Sequence, residues 1–129
     1  MDDISNNAKL LVRANQIVCL EHQNKVLYGE AIELIAERGL CWFRPICLVI
    51  TADGNSELES ARFIDLQSGS DLLWPAILFR PALDLEIIDY LPHLKDPNYN
   101  STDKSSNKQY FNKFVRQVWQ ANQDKFPSS

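Results

Sequence analysis

The stretch Leu40-Cys41-Trp42-Phe43-Arg44-Pro45-Ile46-Cys47-Leu48-Val49-Ile50-Thr51 decides the fold, because it is the longest apolar run in the chain. Its β-branched end is typical of a strand. At about a dozen residues it is roughly half the length that a membrane-spanning helix needs. Arg44 and Pro45 do not fit a buried strand, since a guanidinium needs a partner or solvent and proline lacks an amide hydrogen. The stretch is therefore predicted to be a core strand that also carries a recognition residue.

Three neighbouring segments are predicted to pair with this strand in one antiparallel sheet. They are residues 15–22, 26–37 and 60–67, each apolar or alternating and bounded by polar turn residues. Residues 30–38 also show helical spacing, with Gly39 as a C-cap, so a helix is the alternative there. We favour the strand because it would form a long hairpin with residues 40–51, with Gly29 as a bend or bulge.

Two helices are predicted after the strands. Pro81 suits the first position of a helix over residues 81–91, which Pro92 would end. A second, amphipathic helix is predicted over residues 106–121. Its apolar stripe consists of Tyr110, Phe111, Phe114, Val115, Val118 and Trp119. This stripe either closes the domain's own core or docks on a partner.

Between the strands and these helices the pattern is weaker. Asp71 could cap a short helix at residues 72–74, and residues 76–79 resemble a short extended piece. The whole predicts an α+β fold, with a strongly bent antiparallel sheet or partial small β-barrel covered by two helices. We expect a β-rich core domain over residues 1–94, a polar linker over 95–106, and a terminal helix over 107–122 that packs on the same domain.

Composition limits the function classes. The 129 residues carry a net charge of −4, which argues against a generic binder of the phosphate backbone but leaves room for a local basic patch. The acidic, polar N-terminus is unlike a signal peptide, so a cytoplasmic location is expected. Three cysteines, an odd number in apolar surroundings, predict buried reduced thiols. Cys41 and Cys47 are six residues apart and are predicted to share one face of their strand.

No catalytic or metal-binding constellation is visible in the sequence. Cys19 and His22 have an odd spacing and would point to opposite faces of a strand, which prevents thiol–imidazole catalysis. The cysteines and histidines lack the paired spacing of a zinc site, and there is no glycine-rich phosphate loop. The acidic residues of the Pro81 helix fit a solvated face. We therefore expect neither an enzyme nor a cofactor.

Recognition is the remaining chemistry. Arg44 and Arg80 each precede a proline within apolar sequence, which favours extended backbone. Either these arginines pair with acids such as Asp65, Asp71 or Asp84, or they are exposed beside aromatic residues, the combination in which interface hot spots are enriched. The predicted partner-binding residues are Trp42, Arg44, Trp74 and Arg80.

The function expected from these residues is a non-catalytic protein-interaction, assembly or regulatory module. The alternative is a nucleic-acid-binding small β-barrel, which would need a contiguous basic patch. Its candidate residues are Lys9, Arg13, Lys25, Arg38 or those of the terminal helix. A small-ligand sensor is the third hypothesis, and it would need a closed apolar pocket. A homo-oligomer is compatible with each of these functions.

Several segments resemble a family of short uncharacterised cyanobacterial proteins. They are Leu27-Tyr28, Leu40-Cys41-Trp42-Phe43-Arg44-Pro45, Ser70-Asp71-Leu72-Leu73-Trp74-Pro75, Leu78-Phe79-Arg80-Pro81-Ala82-Leu83-Asp84 and Phe114-Val115-Arg116-Gln117-Val118-Trp119-Gln120-Ala121. The resemblance implies a cytoplasmic protein of a photosynthetic bacterium and brings no activity or catalytic residues. The hairpin over residues 26–50 also resembles Sm-like β-barrels, which bind RNA, although no Sm motif is matched residue by residue.

Overall fold

The computed structural model describes residues 13–51, 62–67, 69–83 and 104–126. Within these ranges it contains an antiparallel sheet and one long helix, which confirms the predicted combination of sheet and helix. The strands are β1 (Ile17–His22), β2 (Lys25–Ile35), β3 (Leu40–Ile50), β4 (Arg62–Asp65), β5 (Leu72–Pro75) and β6 (Arg80–Pro81), and the helix is α1 (Lys104–Ala121). The strand order is β4-β3-β2-β1-β6, and β5 pairs with β3 beside β4.

The hairpin of β2 and β3 is the centre of the sheet. Its strands pair antiparallel along their whole length, so the prediction of a strand rather than a helix over residues 30–35 is confirmed. Residues Ala36–Arg38 instead form a single 3-10 turn. Gly39 ends that turn with φ of 65°, in the left-handed region that glycine adopts without a steric penalty. The turn reverses the chain directly into β3.

A bulge in β3 inverts the direction of its side chains. Tyr28 pairs with Cys47 and Gly29 with Pro45, which leaves Ile46 as the extra residue. Cys41 consequently lies in the first core cluster and Cys47 in the second. The prediction that these two cysteines share one face was wrong, because it assumed an uninterrupted strand.

Both faces of the sheet therefore carry buried residues. The larger cluster lies between the sheet and α1, and includes Val18, Leu20, Leu27, Ala31, Phe43, Leu48, Ile64 and Phe79. The smaller cluster, on the other face, consists of Cys19, Tyr28, Cys47, Val49 and Phe63. All three cysteines are buried and free of disulfides, as predicted. Burial raises the pKa of Cys41 to about 11 and, with the nearby Asp65 charge, that of Cys47 to about 12. Both thiols stay protonated at neutral pH and act as core side chains.

Helix α1 closes the domain's own core, which was one of the two predicted alternatives. Phe111, Phe114 and Val118 are buried against the sheet, whereas Trp119 at the edge of the stripe is half exposed. Beyond the helix, the ring of Phe126 packs edge-on against Trp74 with 5.0 Å between centroids. No helix in the ranges given above has both the length and the apolar character needed to cross a membrane.

The structure corrects the predictions for the segment after β4. Residues 72–74 belong to strand β5 rather than to a capped helix, because they pair with the edge of β3 that β4 leaves open. Residues Ala76–Leu78 form a 3-10 turn rather than an extended piece. Pro81 pairs with Val18 in β6 instead of opening a helix. The rest of that predicted helix, residues 84–91, and residues 95–103 of the predicted linker lie outside the described residues. The last residues of that linker, 104–106, were predicted wrongly, because they belong to α1.

Candidate interaction surface

Trp42 lies on the face of the sheet opposite to α1, where β3 is paired with β5. It alternates with Cys41 and Phe43, whose side chains enter the main core, so its own side chain points away from that core. The indole is 38% exposed. Its Nε1 donates a hydrogen bond to Oδ2 of Asp71 at 2.9 Å. Trp42 is therefore both accessible and fixed in orientation.

Arg44 is held by the same carboxylate. Its Nε donates to Oδ1 of Asp71 and its Nη2 to Oδ2, each at 3.2 Å, which makes the contact bidentate. The Arg44 side chain is nevertheless 52% exposed. Arg44 thus combines the two alternatives from the sequence, since it pairs with an acid and also faces solvent beside Trp42.

The shared carboxylate is the electrostatic centre of this surface. The hydrogen bonds from Arg44 lower the pKa of Asp71 from its ordinary value, and the bond from Trp42 lowers it further, against a partial desolvation that raises it. The hydrogen bonds and charge of Asp71 in turn raise the pKa of Arg44. Both groups are therefore fully charged at neutral pH, and the bidentate geometry is maintained.

Leu73 adds an apolar neighbour that the sequence did not single out. It stands directly opposite Trp42 in the ladder of β3 and β5 and is 53% exposed. On the β2 side, Glu33 and Glu30 stand opposite Trp42 and Arg44. We call the group of Trp42, Arg44, Asp71 and Leu73 the Trp42 surface. The sequence alone does not show that Leu73 is exposed beside Trp42, because this depends on the pairing of β5 with β3.

Trp74 does not belong to the Trp42 surface. It stands opposite Cys41 in the ladder and therefore points into the main core, where it is only 9% exposed. Its neighbour Phe126 covers the ring from the end of the chain. The predicted partner-binding tryptophan at this position is thus a core residue of the described structure.

Arg80 lies on β6, at the far edge of the sheet from the Trp42 surface. Its Nε donates to Oε1 of Glu21 and its Nη1 to the carbonyl oxygen of Pro81. Glu21 was not among the acids considered from the sequence, because its proximity depends on the pairing of β1 with β6. The four predicted residues therefore divide into the pair Trp42 and Arg44, the core residue Trp74, and the edge residue Arg80.

The residues considered for catalysis do not come together in the described ranges. Cys19 lies in the smaller cluster, while His22 is on the other face with its ring 6.5 Å from that of Phe114. No group of three or more metal-ligating side chains occurs among the residues that the structure describes. The second histidine of the chain, His93, lies outside them.

The chain was compared with known proteins in three ways. It matches no protein-family model, no curated protein and no solved structure at a significant level. The candidate surface therefore rests on its own geometry.

Proposed function

We propose that the protein is a non-catalytic interaction module that binds a protein partner through the Trp42 surface. The observation that carries this proposal is an exposed indole whose orientation is fixed by the carboxylate that also holds Arg44. Tryptophan and arginine are the residues most enriched at the hot spots of protein interfaces. Side chains that are already ordered lose less conformational entropy when a partner binds.

The chemistry of the surface indicates what a partner would present. Trp42 and Leu73 stand opposite each other in the β3–β5 ladder, and both side chains are exposed. Arg44 uses two of the five N–H donors of a guanidinium for Asp71, and the remaining donors can bind a carboxylate or a backbone carbonyl. A segment with an apolar side chain next to an acceptor group would satisfy both parts of the surface.

The same proposal includes the shape of the sheet and the location of the protein in the cell. We interpret the sheet as a partial small barrel, because β-bulges interrupt the β2–β3 ladder and bulges increase strand bending. A cytoplasmic location and a relation to the cyanobacterial family stay predictions. Fractionation of the source cells would check the location.

Site-specific photocrosslinking tests the interaction. A photoreactive amino acid placed at position 73 in the full chain should form a defined adduct with a protein in extract of the source cells. The same group at Gln120, an exposed position on α1, is the control and should give no such adduct. Trp42→Ala and Arg44→Ala should each abolish the adduct at position 73 while the melting temperature changes little, since both side chains are exposed. An adduct that persists in both variants would exclude this surface.

A further inference from the structure

Helix α1 differs in charge from the rest of the chain. It contains Lys104, Lys108, Lys113 and Arg116 and no acidic residue, in a protein whose net charge is −4. The helix therefore has no acidic side chain with which these cations could pair along its own surface. Such a one-sided distribution creates a positive local field, which attracts anions.

One flank of the helix forms a cleft with the first residue of β4. Arg62 from β4 and Ser106, Gln109, Tyr110 and Lys113 from α1 line a cavity of about 340 Å³. The Arg62 guanidinium lies over the Tyr110 ring, 5.0 Å from its centroid, which fixes the direction of its N–H groups. We call these five residues the basic cleft.

Every polar side chain of the basic cleft can donate a hydrogen bond, and none is a carboxylate. The ion pairs within the described ranges are Arg44–Asp71, Arg80–Glu21 and Lys125–Asp124. Arg62 and Lys113 therefore have no carboxylate partner in that part of the chain. Both residues line the cleft, and none of the five residues that line it is acidic.

We propose that the basic cleft binds a phosphate group, carried by a small phosphate ester or by a nucleic-acid strand. A planar guanidinium combined with an ammonium and neutral donors matches the acceptor oxygens of phosphate. The volume lies at the lower end of the range for small-ligand sites. The proposal is independent of the Trp42 surface, because α1 packs on the face of the sheet opposite to the one that Trp42 occupies.

Nuclear magnetic resonance titration of the full 15N-labelled chain tests this site. Sodium phosphate is one probe and a single-stranded oligouridylate is the other. We expect saturable shifts centred on Arg62, Gln109 and Lys113 with at least one probe. Lys113→Glu should weaken the affinity about tenfold or more, as expected for the loss of a hydrogen bond to a charged group.

A matched charge reversal separates the cleft from general electrostatics. Lys108→Glu makes the same change in net charge on the same helix but leaves all five cleft residues in place, so it should weaken the affinity much less. Arg62→Lys keeps the charge and loses the planar fork, so an intermediate loss is expected. Lys113→Gln repeats the test with a neutral residue if the reversal unfolds the chain.

The two probes distinguish the sources of the phosphate. Saturation by phosphate without competition from the oligonucleotide supports a small ester. Competition by the oligonucleotide, with log affinity falling by about 0.7 per phosphate contact against log salt, supports a nucleic-acid strand. Absence of localised shifts with both probes, or equal losses in Lys113→Glu and Lys108→Glu, would overturn the proposal.

Discussion

At the scale of single residues, Asp71 determines the state of the Trp42 surface. One carboxylate accepts three hydrogen bonds, one from the Trp42 indole and two from the Arg44 guanidinium. An isolated ion pair at a surface contributes little to stability because solvent screens it. The effect of Asp71 is instead geometric, since it holds the Trp42 indole and the Arg44 guanidinium in one arrangement. Loss of its charge should therefore alter the surface more than the fold.

Replacing Arg44 by glutamine is predicted to raise the pKa of Asp71 towards the ordinary aspartate value of about 3.9. The reason is that the hydrogen bonds from Arg44 are the main cause of the lowered pKa. A 13C titration of the side-chain carboxyl groups measures this directly. Glu33→Gln removes a charge from the same sheet face and should not raise the pKa of Asp71.

The same pair has a defined pH dependence. Because the pKa of Asp71 is lower in the folded state, its contribution to the free energy of unfolding is complete above the unfolded-state pKa of about 4. It is lost as pH falls through the folded-state pKa. The stability difference between wild type and Arg44→Gln should therefore be constant near neutral pH and close in acid. A difference that is independent of pH would contradict this account.

At the scale of elements, the β2–β3 hairpin and an irregularity at Gly29 could be predicted from the sequence, and both are confirmed, but the extra residue of the bulge could not be predicted. The apolar run of residues 40–51 and the turn at Gly39 indicate a strand after a reversal. Which residue is extra depends on the register between two strands, and only the pairing of Gly29 with Pro45 leaves Ile46 out. An extra residue in a strand turns every following side chain to the opposite face of the sheet. For that reason Cys41 and Cys47 lie on opposite faces, whereas the sequence predicted the same face.

The short strands were harder to predict for a similar reason. Residues 72–74 form an apolar run too short to show a period, and their strand conformation depends on an open edge of β3. Of the candidate site, Trp42 and Arg44 were identified because an aromatic and a charged residue stood in apolar sequence. Leu73 and Glu21 were missed because their importance depends on which strand lies next to theirs.

Gly29→Ala is predicted to destabilise the hairpin by about 1–3 kcal/mol, the usual cost of overpacking. A Cβ at this position would overlap the carbonyl oxygen of Arg44 and the ring of Phe43. The carbonyl belongs to the paired backbone and cannot move without disturbing the ladder. Urea unfolding gives the change in free energy.

Gly39→Asn is the matched control for that substitution. Gly39 has φ of 65° and no heavy atom within 4 Å of an added Cβ, and asparagine tolerates this backbone conformation. We expect a loss of stability smaller than that of Gly29→Ala, because asparagine meets only backbone strain at φ of 65° and no steric overlap. If Gly29→Ala were as stable as wild type, the predicted overlap with the Phe43 ring and the Arg44 carbonyl oxygen would not explain the glycine at this position.

At the scale of the whole molecule, the sheet separates two surfaces with different chemistry. The Trp42 surface lies on one face, and α1 with the basic cleft lies on the other. Arg62 is the first residue of β4 and pairs with Ile50, which in turn pairs with Lys25 of β2. The Nζ of Lys25 donates a hydrogen bond to Oε1 of Gln117 in α1 at 3.2 Å. The cleft therefore exists only while α1 is packed on the sheet, because the helix supplies four of its five residues.

Docking of α1 gives a prediction for the unfolding of the entire chain. Phe114 is fully buried between the helix and the sheet, so Phe114→Ala should lower the free energy of unfolding by about 3–5 kcal/mol. That is a large part of the roughly 5–15 kcal/mol that stabilises an ordinary domain. Trp119→Ala is the matched control on the same helix. Its side chain is half exposed, so the loss should stay below about 1 kcal/mol.

The decisive measurement follows helix and sheet separately during thermal unfolding. Far-UV circular dichroism reports mainly on α1. Once Trp119 of α1 is replaced by phenylalanine in every chain that is compared, the fluorescence of the two remaining tryptophans, Trp42 and the buried Trp74, reports on the sheet. If the helix belongs to the same cooperative unit, both signals should shift together in Phe114→Ala. A helix signal that melts first, with the tryptophan signal left at its wild-type midpoint, would show that α1 folds onto the sheet as a separate unit. The basic cleft would then be present only while the helix is docked, and phosphate binding should raise the midpoint of the helix transition.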